Sequence, residues 1–158
     1  MSGNNFGYPP IVNESVSAVT ATPSMMVGVR RFEQGDEYLY VYNNGTTQIS
    51  PGNGCILSAT TGYSVTVSSV TSVDTFIGVC KHTTLTTGTY GWVVTKGFVP
   101  LRAVANSGLA SADYVMAGDN GTFTVPGTVV TGYIGNFVGR VQQSTASAGL
   151  GFGYVNCM

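Results

Sequence analysis

The single imidazole of the chain, His82, lies in the threonine-rich run Lys81-His-Thr-Thr-Leu-Thr-Thr-Gly88. An acyl-transfer triad needs such a base beside a nucleophile and an orienting acid, and no Gly-x-Ser-x-Gly elbow is present to carry the nucleophile. Glycoside hydrolysis needs two carboxyls across a cleft. The acidic candidates are Asp36-Glu37 with Asp113 or Asp119, and each sits at a strand start or beside an Asn-Gly turn, where Asp bonds its own backbone. Asp119-Asn120-Gly121 looks like a fragment of a calcium loop but lacks the further oxygen ligands and the closing Glu, so a type I′ turn accounts for it. Cys55, Cys80 and Cys157 are odd in number and far apart, with no Cys-x-x-Cys pair and one histidine to join them. They read as reduced, buried hydrophobes rather than zinc ligands or a disulfide framework. No Gly-x-x-x-x-Gly-Lys-Ser/Thr loop occurs. Catalysis, a cofactor and a metal are therefore not expected.

What remains is surface chemistry. The chain holds 9 Tyr, 7 Phe and 1 Trp, residue types that serve cores and protein interfaces alike. Tyr38, Tyr40 and Tyr42 occupy alternate positions of one β-prone run and so share one face. With Trp92, and with Phe6, Tyr8, Pro9, Pro10, Ile11 and Val12 near the N-terminus, they are the expected residues of an intersubunit or partner interface.

Composition agrees with association. Charged residues make up 8% of the 158 residues, against roughly 25% in an ordinary soluble domain. A net charge of −1 with Lys and Arg scattered offers no stripe to neutralise phosphates, which argues against nucleic acid. The apolar stretches are broken by Gly and fall short of the ~20 residues of a membrane helix. No basic segment followed by an apolar core opens the sequence, so no secretory signal is expected and assembly in a cytoplasm is.

The elements that must position these residues are strands. Gly, Val, Thr and Ser dominate while Leu, Glu and Lys are scarce, which disfavours helix. Strands are expected at Tyr38–Tyr42, Tyr63–Val67, Phe76–Cys80, Tyr90–Thr95, Phe98–Leu101, Tyr114–Met116, Thr122–Val125, Tyr133–Ile134, Phe137–Val141 and Phe152–Val155. Asn43-Asn44-Gly45 is read as a hairpin turn. Ala103–Ala112 is the one stretch with room for a helical turn. Residues 1–24, with Pro9, Pro10 and Pro23 and one charged residue, read as an extended arm without a core of its own. Residues 25–158 form the β-rich domain.

That domain carries an internal repeat, 37–95 and 113–156. Glu37-Tyr38 matches Asp113-Tyr114, Asn44-Gly45-Thr46 matches Asn120-Gly121-Thr122, Phe76-Ile-Gly78 matches Phe137-Val-Gly139, and Gly91-Trp-Val93 matches Gly153-Tyr-Val155. The first copy is longer around Cys55–Asp74, where an added hairpin is expected. The expected fold is all-β, a compact barrel or sandwich built from two related halves with an extended N-terminal arm.

The segment Phe76-Ile-Gly-Val-Cys-Lys-His-Thr-Thr-Leu-Thr-Thr-Gly-Thr-Tyr-Gly-Trp-Val-Val-Thr-Lys-Gly97 resembles a pattern of the capsid decoration, or cement, proteins of tailed bacteriophages. Ala110-Ser-Ala-Asp-Tyr-Val-Met-Ala-Gly-Asp-Asn-Gly-Thr122 and Ile134-Gly-Asn-Phe-Val-Gly-Arg140 resemble its remainder, so the likeness covers Phe76 to Val155. The resemblance implies a virion protein on the capsid exterior, assembled in the bacterial host cytoplasm. It would bind the outside of the phage head, often as a homotrimer, and reinforce joints between major capsid protein subunits. A weakly charged surface suits that role because large contacts then desolvate few charges. The rival reading is the receptor- or glycan-binding head of a phage fibre or spike.

Overall fold

The computed structural model describes residues 14–58, 62–69, 75–105, 108–125, 137–146 and 148–157. The chain is all-β. Among the described residues ten strands follow in order: β1 (Arg30–Glu33), β2 (Asp36–Asn43), β3 (Gly54–Leu57), β4 (Ser64–Val67), β5 (Phe76–Val79), β6 (Tyr90–Arg102), β7 (Tyr114–Ala117), β8 (Phe123–Thr124), β9 (Phe137–Gln143) and β10 (Leu150–Asn156). They join in the order β1-β2-β4-β3-β5-β6-β10-β9-β7-β8, and an extra β2–β6 pairing closes β2, β4, β3, β5 and β6 into a barrel. Each strand of the barrel sends one parity of side chains inward. Leu39 and Val41, Cys55, Val65, Ile77 and Val93 meet there with Ile49, Cys80 and Leu85.

Strand β6 is the structural hub because it belongs to two sheets. Residues Tyr90–Lys96 pair with β2, and Lys96–Arg102 pair with β10. Beyond the barrel, β6 thus founds a second, open sheet with β10, β9, β7 and β8. The inner face of that sheet presents Val99, Leu101, Val115, Ala117, Val138, Val141 and Val155 to the outer face of the barrel, which contributes Tyr38, Tyr40, Ile56, Phe76, Trp92 and Val94. Phe76 and Phe123 meet edge to face across this layer, with ring centroids 6.0 Å apart. Two apolar layers result, one inside the barrel and one between the barrel and the second sheet. Full burial of one such aliphatic or aromatic side chain contributes about 1.5–3 kcal/mol.

Several expectations meet a different outcome. Tyr90–Thr95 and Phe98–Leu101 are one continuous strand, bent rather than broken at Lys96-Gly97. Asn43-Asn44-Gly45 ends β2 without returning the chain antiparallel beside it: β2 instead pairs parallel with β4 and antiparallel with β6. Asn43 is buried there, and its amide donates to the carbonyls of Leu85 and Thr47 at 2.9 and 3.1 Å while its Oδ1 accepts the Gly45 N–H. The side chain ends the strand by replacing backbone partners, which the dipeptide signal alone does not distinguish from a hairpin. Asp119-Asn120-Gly121 does form its turn. Asn120 and Gly121 both have positive φ, 55° and 75°, and Thr122 N–H donates to the Asp119 carbonyl, joining β7 to β8. The expected hairpin in the longer first copy is β3–β4, with Cys55 opposite Val67. Strand β1 was not expected, nor was β3. The expected strand Tyr133–Ile134 lies outside the described residues.

The arm is also corrected in its second half. Residues 1–13 lie outside the described residues, but 14–24 run along the domain itself. Thr20 pairs with Tyr90, the Ser24 N–H donates to the Tyr40 hydroxyl at 3.2 Å, and Val16 and Val19 pack on the two apolar layers. Extended chain with a few apolar residues had no visible partner in the sequence; here the partner is the outer wall of β2 and β6.

Candidate functional site

A polar cluster sits where β6 leaves the barrel. Asp36, at the start of β2, is 6% exposed, and its Oδ1 accepts the Phe98 N–H at 3.0 Å. Its Oδ2 takes an ion pair from Lys81 and a hydrogen bond from the Tyr38 hydroxyl at 3.3 Å. His82 Nε2 lies 3.0 Å from that hydroxyl, with the two rings stacked. Burial, then the adjacent Asp36, pushes the Tyr38 phenol well above its usual pKa of 10, so it stays a donor. Burial and neighbouring Lys81 hold His82 below its usual value, against the opposing pull of Asp36 and Glu33. The Phe98 N–H bond ties β2 to β6, the Tyr38 bond stays within β2, and the Lys81 pair fastens the loop after β5 to both. The cluster is a lock on the β6 bend, reached by an imidazole on the loop side.

The bend itself requires Gly97. Its φ is +148°, and a β-carbon there would sit 2.6 Å from Asp36 Cγ and 2.9 Å from Asp36 Cβ. The carboxylate can reach the Phe98 N–H only because no β-carbon at position 97 takes up the space it occupies.

The expected interface residues divide. Tyr38, Tyr40 and Trp92 are buried, at 3%, 0% and 5% exposure. They are the outer wall of the barrel, covered by the second sheet and by residues 14–29, so the core takes them and they offer no surface to a partner. Tyr40 and Trp92 meet edge to face at 5.1 Å. Tyr42 is half-buried against Tyr90, with centroids 4.6 Å apart. Phe6, Tyr8, Pro9, Pro10, Ile11 and Val12 lie outside the described residues.

Exposed aromatic surface lies elsewhere, on the outer face of the second sheet. The registers place Tyr114 opposite Arg140, Arg140 opposite Tyr154, and Tyr154 opposite Phe98, a row crossing four strands. Tyr114 is 56% exposed, and Phe98 and Tyr154 are each 40% exposed. Phe152 stacks on Phe98 at 5.9 Å, and Leu150 continues the line. The Arg140 guanidinium lies over the Tyr114 ring, 5.7 Å from its centroid, and its Nε donates to the Ala112 carbonyl. A shallow groove of about 390 Å³ beside the row is lined by Tyr114, Arg140, Gln142, Tyr154 and Asn156. A sheet with one solvated face normally alternates apolar-in with polar-out. This one mixes large exposed aromatic and apolar side chains, Tyr114, Phe98, Tyr154 and Leu150, with Lys96, Arg102, Arg140 and Asn156 on its outer face.

Tyr114, Arg140, Tyr154 and Phe98 fall within expected strands, while Leu150 extends the expected Phe152–Val155 strand by the start of β10 (Leu150–Asn156); local periodicity gives their shared face but not its outward direction. The signal was Leu150-Gly-Phe-Gly-Tyr-Val-Asn156: with glycine at Gly151 and Gly153, the bulk must point the other way. Gly153 shows why, since a β-carbon there would meet Leu101 of the inner layer at 2.6 Å.

The thiols are all free, with Cys55 and Cys80 buried and Cys157 half-buried. Burial pushes Cys80 and Cys157 up to about 12. Among the described residues no three His, Cys, Asp or Glu side chains gather as metal ligands, and no helix is long and apolar enough to cross a membrane.

No protein-family model matches the sequence, nor does any curated protein. The fold does have a counterpart among solved structures. It is similar to the N base of head fibre gp8.5 of bacteriophage phi29, with a TM-score of 0.52 at 11% sequence identity over 75% of this chain and 92% of that one. At that identity the likeness is one of fold.

Proposed function

We propose that this chain is a non-catalytic structural protein of a tailed-phage virion, seated on the outside of the head, where it bridges adjacent major capsid protein subunits. The observation that carries the reading is the shared fold with the base of a phage head fibre, which extends over 92% of that base. Two features of the molecule support it. The outer sheet face sets exposed aromatic rings beside the Arg140 guanidinium, a combination suited to a protein contact. The Asp36–Tyr38–Lys81–His82 cluster is engaged in holding the β6 bend, through the Asp36 bond to the Phe98 N–H. Trimerisation on the lattice would multiply weak contacts.

The same likeness favours a second reading in which the domain is the base that mounts a fibre on the head, and a receptor- or glycan-binding head is the remaining form of that idea. Quantitative mass spectrometry of purified virions separates them: a cement is stoichiometric with the lattice, a fibre is present in few copies. Heads with and without the protein are then heated and osmotically shocked. Cementing requires bare heads to rupture under milder conditions, because a ligand that binds only the intact shell stabilises it by mass action. Equal resistance removes the reinforcing role and leaves the fibre base. Absence of the protein from purified heads removes both.

A further inference from the structure

The outer face of the second sheet is unusual in charge as well as in apolarity. Strands β6 to β10 contain Lys96, Arg102 and Arg140 and no Asp or Glu. All three fall on the outward parity: Lys96 opposite Asn156, Arg102 opposite Leu150, and Arg140 between Tyr114 and Tyr154. Two acids beside this face are already engaged. Glu37, opposite Lys96, is ion-paired with Arg30, and Asp113 accepts the Ala110 N–H. In a protein with 6 Lys and Arg in all, half of the cations therefore lie on these strands without an acid beside them in the same strand; Arg102 donates to the Pro51 carbonyl, and Arg140 is seated on an exposed aromatic ring.

We infer that this face, centred on Tyr114, Arg140, Tyr154 and Phe98, is the surface that docks on the capsid, and that it fits a protein patch that is apolar and presents a carboxylate to Arg140. The inference rests on the head-surface reading above and names the side of the molecule it uses. Tyr and Arg are the side chains most often found to dominate protein interfaces, flanked by residues that exclude water. Arg140 is already oriented: one bond to the Ala112 carbonyl and the Tyr114 ring hold its planar fork, which reduces the ordering cost of a bidentate carboxylate contact. Phe98 and Phe152, stacked beside it, supply the apolar area, and a contact at this spot would be drier and stronger than at an ordinary charged rim. The sheet beneath is rigid, since its inner face is the buried layer against the barrel. A partner can therefore be met without rearrangement of the backbone.

The test uses the full chain and purified bare heads in a co-sedimentation assay. Arg140→Glu and Tyr154→Ser alter exposed positions, and Met26→Ser and Phe32→Ser serve as controls, at 79% and 75% exposure on a different part of the surface. Unchanged thermal melting identifies variants that remain folded. Each variant on the sheet face is expected to weaken binding at least thirtyfold, roughly the loss of one dominant interface side chain, while the controls bind as the wild type does. Raising salt should weaken the wild type and leave Arg140→Gln nearly unaffected. Wild-type binding that survives both sheet-face substitutions overturns this assignment and leaves the head-surface reading intact. Failure of the wild type to bind heads removes that reading and this one together. If the substitutions instead dissociate a soluble oligomer and spare head binding, the face belongs to a second copy of the chain, and the inference is overturned.

Discussion

Replacing Gly97 with Ala tests the account of the β6 bend most directly. The new methyl would occupy space now filled by the Asp36 carboxylate, 2.6 Å from its Cγ, at a backbone φ of +148°. Two costs follow. A non-glycine residue held in that region costs about 1–3 kcal/mol. Displacing Asp36 breaks its bond to the Phe98 N–H, a hydrogen bond to a charged group worth about 1.5–3 kcal/mol, and frees Lys81 and the Tyr38 hydroxyl from their shared partner. Together they amount to about 2.5–6 kcal/mol, a large part of the ~5–15 kcal/mol that holds a typical domain. For a chain of this length that lowers Tm by on the order of 10 °C. The single Trp92, buried beside Tyr40, gives the fluorescence signal for urea and thermal unfolding. A double-mutant cycle isolates the cause. In an Asp36→Ala background the methyl meets no carboxylate and keeps only the 2.9 Å approach to the β-carbon of position 36, so Gly97→Ala should cost less than in the wild type, and the two changes should couple by about 1.5–3 kcal/mol. A single-variant cost below ~1 kcal/mol, or costs that add within ~0.5 kcal/mol, would refute the lock.

Three further outcomes follow from the same structure. Moving the Cys80 and Cys157 thiols from 9.0 to about 12 cuts their thiolate fraction near neutral pH roughly a thousandfold, so alkylation by iodoacetamide should be slow in the native protein and rapid in urea; fast native labelling of both would contradict their burial. His82 is held below its ordinary 6.5, so the unfolded chain takes up its proton first and the protein should lose stability as pH falls below about 6.5 toward the lowered folded value; urea midpoints for His82→Gln should be flatter across that window, and parallel slopes for the two proteins would count against it. Removing residues 1–24 should destabilise the domain by about 2–5 kcal/mol, because it strips Val16 and Val19 from the apolar layers and the Thr20–Tyr90 pairing from β6; a melting temperature equal to that of the full chain would contradict this.

Local chemistry was legible in the sequence, and partnership was not. The excess of Val, Thr and Gly dictated strands, because branched side chains suit a pleated surface and little else in the chain favours helix. The Asn120-Gly121 turn was readable because only a few residue types tolerate two successive positive φ values. The dearth of grouped acids, imidazoles and thiols was likewise a property of the residue list. Which strand lies beside which was decided by tertiary structure. Glu37-Tyr38 and Asp113-Tyr114 look alike, yet β2 pairs with β6 while β7 pairs with β9. Alternation shows that Tyr38 and Tyr40 share a face but not whether that face meets solvent, because period two has the same form for a core and for a surface. Closure of the barrel made one parity of β2 its interior, and the second sheet with residues 14–29 then covered the other, burying the tyrosines that composition alone offered to a partner. The aromatic row of Tyr114, Tyr154 and Phe98 exists only once β7, β9, β10 and β6 are in register, since its members come from strands far apart in the chain and no local rule aligns them.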